Sequence, residues 1–242
     1  MPSIGGTITS GAPVMEGGAY DQRDGPEFFG SEPPYRPLAE RPDVVVFQTA
    51  PLHRETEITG PIVVTLWISS DAPDTDFTAK LVDVYPPGED YPEGFAMNIT
   101  DGILRARYRD SWEQPSLMRP GVIYRLTIEP FPTSNLFARG HRIRVDLSSS
   151  NFPHFDLNPN SGEPEGAWTT TRVARNTIHL SRPCPSHIVL PLVPRTGAAS
   201  GEHEHGRPAD SWRADRRLHH RSRLSGFPEA GGRTGPGAAR GG

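Results

Sequence analysis

Apolar and polar positions alternate with a period of two in a series of short runs, each bounded by turn-forming residues, and this pattern predicts β-strands. In 62–68, Ile62, Val64, Leu66 and Ile68 share one face, while Val63 and Trp67 make the other face partly apolar, as in a central strand covered on both sides. In 104–109 one face is apolar or aromatic and the other carries Arg105, Arg107 and Arg109. The same period returns in 122–128 and 142–147, where Val122, Tyr124, Leu126, Ile143, Val145 and Leu147 are predicted to point inward. Further strands are predicted at 44–49, 77–85, 171–180 and 186–193. Some eight strands in one run are buried most economically as two packed antiparallel sheets, so the fold class is all-β, a β-sandwich; the pattern alone leaves jelly-roll and immunoglobulin-like versions open.

Composition sharpens this picture. With 27 prolines and 25 glycines the chain cannot sustain long helices, because proline removes a backbone donor and glycine loses the most conformational entropy. Residues 1–43 are dense in glycine, proline and charge and form an irregular lead-in to the sandwich of 44–195. From residue 196 periodicity stops, and 196–242 is expected to be a disordered tail. That tail holds eight arginines and five acidic residues, a charge of +3, which leaves −7 on the rest of a chain whose total is −4. An acidic body gives no electrostatic reason to expect nucleic acid or an anionic membrane as partner. The start of the chain, 1–12, lacks a basic segment followed by an apolar run, and no apolar stretch approaches the roughly 20 residues of a membrane span, so a signal peptide is not expected and a cytoplasmic location is. Cys184, the single cysteine, can form neither an intrachain disulfide nor a cysteine metal cluster.

The search for chemistry returns little. No Gly-x-Ser-x-Gly nucleophile elbow occurs, although triads assemble from distant residues. His141, behind Gly140 at a strand start, reads as structural; His154 sits in a polar, aromatic loop close to Ser148, Ser149 and Ser150, which lack an elbow context; His53, His179 and His187 read as ordinary strand or turn residues. Asp71, Asp74, Asp76 and Asp83 do not have the spacing of an EF-hand and read as turn caps. Glu202, His203, Glu204 and His205, with His219 and His220, suit adventitious metal binding only. Trp67 is expected to pack inside. Trp112 and Trp168 raise a second hypothesis, a free-standing carbohydrate-binding module.

Several segments resemble one family. They are Gly60-Pro61-Ile62, SSDAPDTDFTAKLVDVYP at 69–86, DGILRARYR at 101–109, GHRIR at 140–144, SSSNFP at 148–153, NPNSG at 158–162 and PSHIVLP at 185–191. Together, over 4–194, they are similar to the C-terminal domain of bacterial cocaine esterases, α-amino acid ester hydrolases and X-prolyl dipeptidyl-peptidases. The resemblance implies a jelly-roll, galactose-binding-like sandwich that packs against an α/β-hydrolase domain carrying the catalytic serine, aspartate and histidine. Those three lie upstream of the matched region in the family, so no catalytic, cofactor-binding or metal-ligating residue is assigned here, and no cofactor is expected. The stretch 4–8 corresponds to the family's approach to the acyl pocket, and Thr9 and Ser10 depart from its apolar pattern there.

Overall fold

The computed structural model describes residues 33–35, 37–41, 43–151, 154–194 and 213–214, the last pair by backbone alone. Eleven strands and two 3-10 turns are present among them: β1 (Val45–Gln48), β2 (Thr56–Gly60), β3 (Val63–Ser70), β4 (Asp76–Tyr85), β5 (Phe95–Arg105), β6 (Tyr124–Ile128), β7 (Thr133–Phe137), β8 (Arg142–Ser148), β9 (Asn176–His179), β10 (His187–Val189) and β11 (Arg213–Ala214). One antiparallel sheet has the order β11-β1-β8-β4-β5. Opposite it, β3 is central, with β6 along one edge and β9 and β10 sharing the other. The β2-β7 pair extends this second layer through an Ile58–Leu192 bridge. The chain changes layers repeatedly, as the jelly-roll reading requires, and the expected all-β sandwich is what forms.

The period of two builds the core. Val64, Leu66 and Ile68 of β3 and Leu126 and Ile128 of β6 meet Phe77, Ala79 and Leu81 of β4 and Ile143, Val145 and Leu147 of β8, all buried. Each side chain of this kind contributes about 1.5–3 kcal/mol when taken out of water, so this shared face supplies the main driving force for folding. Gly102 lets β5 pass the second layer, because a Cβ there would stand 3.1 Å from Ile128 and Pro130. Between β1 and β10 the layers leave an apolar groove of about 280 Å³ floored by Val64, Leu66, Val145 and Leu147.

The other face of the five-stranded sheet is buried too, yet it is charged. Lys80 of β4 stands directly across from Asp101 of β5 on one side and Asp146 of β8 on the other. All three are buried, and Asp146 is held by Arg144 at 2.9 and 3.0 Å. Burial pushes the Lys80 ammonium down to about 8 despite the pull of both carboxylates, and burial pushes the Asp146 carboxyl up against the opposing effect of Arg144.

Four sequence-based expectations need correction. The alternation of 104–109 does not make a strand: β5 ends at Arg105 and Ala106–Tyr108 is a 3-10 turn, because the arginines find tertiary partners that a straight strand would not reach. Val122 precedes β6 and is exposed. Trp67 does not pack inside; with Ile62, Val64, Leu66 and Ile68 on the core side, pleating turns it to the outer face, where it is half-buried opposite Arg125 and His179. The predicted strand 171–180 is confined to β9, since 171–175 is occupied in holding a loop. The expected disordered tail lies outside the described residues apart from Arg213–Ala214, which pairs with Phe47 and Gln48 of β1.

Replacing Lys80 by Met would leave Asp101 and Asp146 buried without their shared cation. Such a change is expected to cost about 3–5 kcal/mol, read as a lower urea midpoint. Because the folded-state value of about 8 lies below the ordinary 10.5, the unfolded chain binds more protons between them. The stability advantage of the parent over Lys80→Met should therefore widen as pH rises through that window.

Candidate functional site

Polar side chains converge at one end of the sandwich, where the β3–β4 loop (71–75), the segment 106–123 and the segment 149–175 meet the start of β1. Cross-strand pairing places Asp76 opposite Arg105, whose Nε and Nη2 donate to its carboxylate at 2.9 and 3.1 Å. Two residues further out, the fully buried carboxylate of Asp74 accepts from the Arg107 backbone N–H at 3.0 Å and from Arg107 Nε at 2.7 Å. The 3-10 turn makes this possible: Ala106 N–H donates to the Thr75 carbonyl and swings Arg107 inward. Bidentate, charge-assisted bonds of this kind are what offset the desolvation of a buried pair. Burial still pushes the Asp76 carboxyl up, against the opposing pull of Arg105 and Asn158.

The long segment 149–175 is fastened to these pairs. Asn158 Nδ2 donates to Asp74 at 3.0 Å and to Asp76 at 2.7 Å, and Arg107 Nη2 donates to the Glu163 carbonyl at 2.9 Å. Gly162, at φ +79°, lies so close to Pro73 that a Cβ would stand 2.9 Å from its ring, so only glycine fits this turn. Glu165 accepts from Arg105 at 2.7 Å and from the Tyr108 hydroxyl at 3.1 Å. On this frame Trp112 is 73% exposed and stacks on Tyr108, and Trp168, 48% exposed, lines a shallow cleft with Arg105, Glu163 and Glu165. Tyr108 thus links Trp112 to Glu165, which shares the cleft of Trp168, a connection that spacing could not reveal.

The residues weighed from sequence go to separate places. Asp71 accepts from Arg175 N–H, Asp74 and Asp76 hold the arginines, and Asp83 pairs with His141 Nδ1 at 2.9 Å, so the four carboxylates do not converge on a cation. Among the described residues no group of three His, Cys, Asp or Glu could hold a metal. His154 Nε2 stands 3.9 Å from Asp101 and its ring packs edge-on to Phe155. Ser148 bonds Thr78 and Ser149 accepts from Asn176. His179 Nε2 lies 2.9 Å from Ser69 Oγ, a contact that sequence reasoning missed, and His187 bonds the Pro185 carbonyl beside it. His53 falls in a bend between β1 and β2, and the histidines of 203–220 lie outside the described residues. The bracing roles of Asn158 and Glu163 also went unread, for want of any local signal.

Glu163 accepts from the backbone N–H groups of Thr169 and Thr170, at 3.2 and 3.1 Å, and from both hydroxyls. These bonds, the Thr169 hydroxyl first, hold its carboxyl down to about 2, below the ordinary 4.5. A lowered carboxyl value means that the loop's support is complete above 4.5 and is lost as pH falls through that window toward 2. The amide resonances of Thr169 and Thr170 should move together over this range, and in Glu163→Gln they should stay constant.

Comparison with known proteins accords with this architecture. Residues 9–189 match the family model of the X-Pro dipeptidyl-peptidase C-terminal non-catalytic domain. The chain is 41% identical over 197 residues to the cocaine esterase of Rhodococcus sp. (strain MB1 Bresler), a match covering 81% of this chain and 31% of that protein. Among solved structures, an α-amino acid ester hydrolase aligns with a TM-score of 0.64 and 29% identity over 72% of this chain and 27% of its own. An aminopeptidase from a marine sediment archaeon, Thaumarchaeota archaeon, aligns with a TM-score of 0.62 and 28% identity over 64% and 27%. The chain therefore spans less than a third of each of these proteins. No helix among the described residues is long and apolar enough to cross a membrane. With its match running from residue 9 to 189, across strands β1 to β10, the chain belongs to the X-Pro dipeptidyl-peptidase C-terminal non-catalytic domain family, the C-terminal domain of cocaine-esterase-like hydrolases.

Proposed function

We propose that this chain serves as the non-catalytic β-sandwich of an ester- or amide-hydrolysing serine enzyme, packing against an α/β-hydrolase domain and helping to wall its active site. The observation that carries the reading is the family match together with the short span: the chain aligns with 31% of the cocaine esterase, so most of that enzyme's length lies outside the matched stretch. The side-chain chemistry supports a non-catalytic role. The Ser69–His179 pair has a nucleophile and a base in contact, but among the described residues no carboxylate bonds the His179 ring, and Ser69 lies mid-ladder, paired with Thr177, rather than on a strained turn. His141 and Asp83 supply a base and its orienting acid, with no serine bonded to that ring among the described residues. Neither half-site can perform acyl transfer alone.

The chain by itself should hydrolyse neither p-nitrophenyl esters nor Xaa-Pro-p-nitroanilide, and a fluorophosphonate probe should leave it unlabelled. Stoichiometric labelling of one serine, abolished by a single substitution such as Ser69→Ala, would refute the non-catalytic assignment.

A further inference from the structure

Six of the thirteen exposed large hydrophobic side chains among the described residues, both exposed tryptophans included, share one set of loops. Trp112, Leu117, Val122, Ile123, Trp168 and Val173 all belong to the loops at the braced end. They are linked through shared supports. Trp112 stacks on Tyr108, Tyr108 bonds Glu165, and Trp168 follows three residues later in the same cleft. Leu117 reaches the surroundings of Gly162 and Pro73, Val122 follows Gly121, whose N–H donates to the Ser70 carbonyl, and Val173 lies between Arg172 and Arg175, which both bond Asp71. We infer that this end is the face by which the sandwich docks on its α/β-hydrolase domain, with Trp112 and Trp168 as the anchoring side chains; the inference rests on the packing proposed above and specifies where it occurs.

Three physical features point to that occupant. The first is what lies outside the match: the chain carries a C-terminal non-catalytic domain and aligns with only 31% of the cocaine esterase, so a larger hydrolase part is the partner at hand, and β1 begins at this end, where Val45 pairs with Leu147 and Leu147 with Ala79 of β4. The second is rigidity. The loops are held by the Arg107–Asp74 and Arg105–Asp76 pairs and by Asn158, so docking would order little that is not already fixed. The third is composition, since tryptophan, tyrosine and arginine around a patch of Leu, Val and Ile are the ingredients of a protein interface hot spot. A sugar would use the faces of the rings, but one face of Trp112 is already against Tyr108, and the aliphatic neighbours offer a glycan no hydrogen bonds. At the far end Tyr91 stacks on Phe95 in its own hairpin and Phe131 projects from the β6–β7 turn, while Leu180, Val189, Leu192 and Val193 lie along the β9–β10 side without a tryptophan.

The test compares two forms of the full chain: alone, and fused in place of the matched stretch of the Rhodococcus cocaine esterase. Hydroxyl-radical footprinting should show Trp112 and Trp168 oxidised at least fivefold more slowly in the fusion, with Tyr91 and Phe131 unchanged. Esterase activity of the fusion reports whether the assembly is intact, and it should fall at least tenfold in Trp112→Asp/Trp168→Asp but not in Phe131→Asp/Leu136→Asp. Protection confined to the far end or to the outer face around Trp67, with Trp112 and Trp168 as reactive as in the free chain, would overturn the docking face while leaving the packing itself intact. An inactive fusion, or one protected nowhere on the sandwich, would overturn the packing and the face with it. Glycan binding by the free chain that disappears in Trp112→Ala would assign these rings to sugar and overturn the inference as well.

Discussion

The salt bridge between Arg107 and Asp74 is the contact on which this end of the molecule depends. Asp74 is inaccessible to solvent, and a carboxylate in that position without a cation would cost several kcal/mol. Arg107 meets that need with its side chain and its backbone N–H, and in doing so ends β5, forms the 3-10 turn and carries the chain toward Tyr108 and Trp112. The pair stands just beyond the end of the sheet register. Asp76 faces Arg105 and Lys80 faces Asp101 on one ladder, and Asp74 and Arg107 meet two residues beyond it, brought together by the 3-10 turn. Each opposition matches a cation with an anion. A slip by one residue would send all of these charges into the apolar core, so the charged face and the apolar face specify the same alignment.

This dual specification explains why a face so rich in charge is tolerated in the interior. Lys80 lies between two carboxylates on neighbouring strands, and Arg144 closes the row against Asp146. A hydrophobic replacement of the whole row could be equally stable, but it would not distinguish one register of β4 from the next. The bulge between Leu81 and Val82 comes just after Lys80, where β5 carries one extra residue, and the regular ladder runs from there outward to Asp76. The register is thus locked over the half of the sheet that supports the loops.

How far the sequence could be read follows from the range of the forces involved. Strands β3, β4, β6 and β8 carry period-two apolar stripes and were legible because alternation is local. Strands β2 and β7, with one or two apolar residues each, exist because they pair with each other across a separation of more than 70 residues, and the N-terminal part of β5 exists because β4 is beside it. The arginines of 104–109 imitated a strand face, and only the positions of Asp74, Asp76 and Tyr124 decide that each turns elsewhere. The aspartates at 71–76 were legible as turn residues but not as ion-pair partners, since Arg105 and Arg107 approach them from some 30 residues away and Asn158 from more than 80.

Asn158 shows why the remaining fastener is neutral. Asp74 and Asp76 bring two negative charges to the site, and Arg105 and Arg107 already balance them. A lysine or arginine at 158 would set a third cation beside Arg105 and Arg107 in a partly buried site, whereas an amide nitrogen donates to both carboxylates without changing the charge. An aspartate would add repulsion and offer no donor. The segment that presents Trp168 is therefore attached through hydrogen bonds to a core of charges that is complete without it. Ladder register fixes the ion pairs, the ion pairs fix Asn158 and the Glu163 carbonyl, and the aromatic surface inherits its position from both.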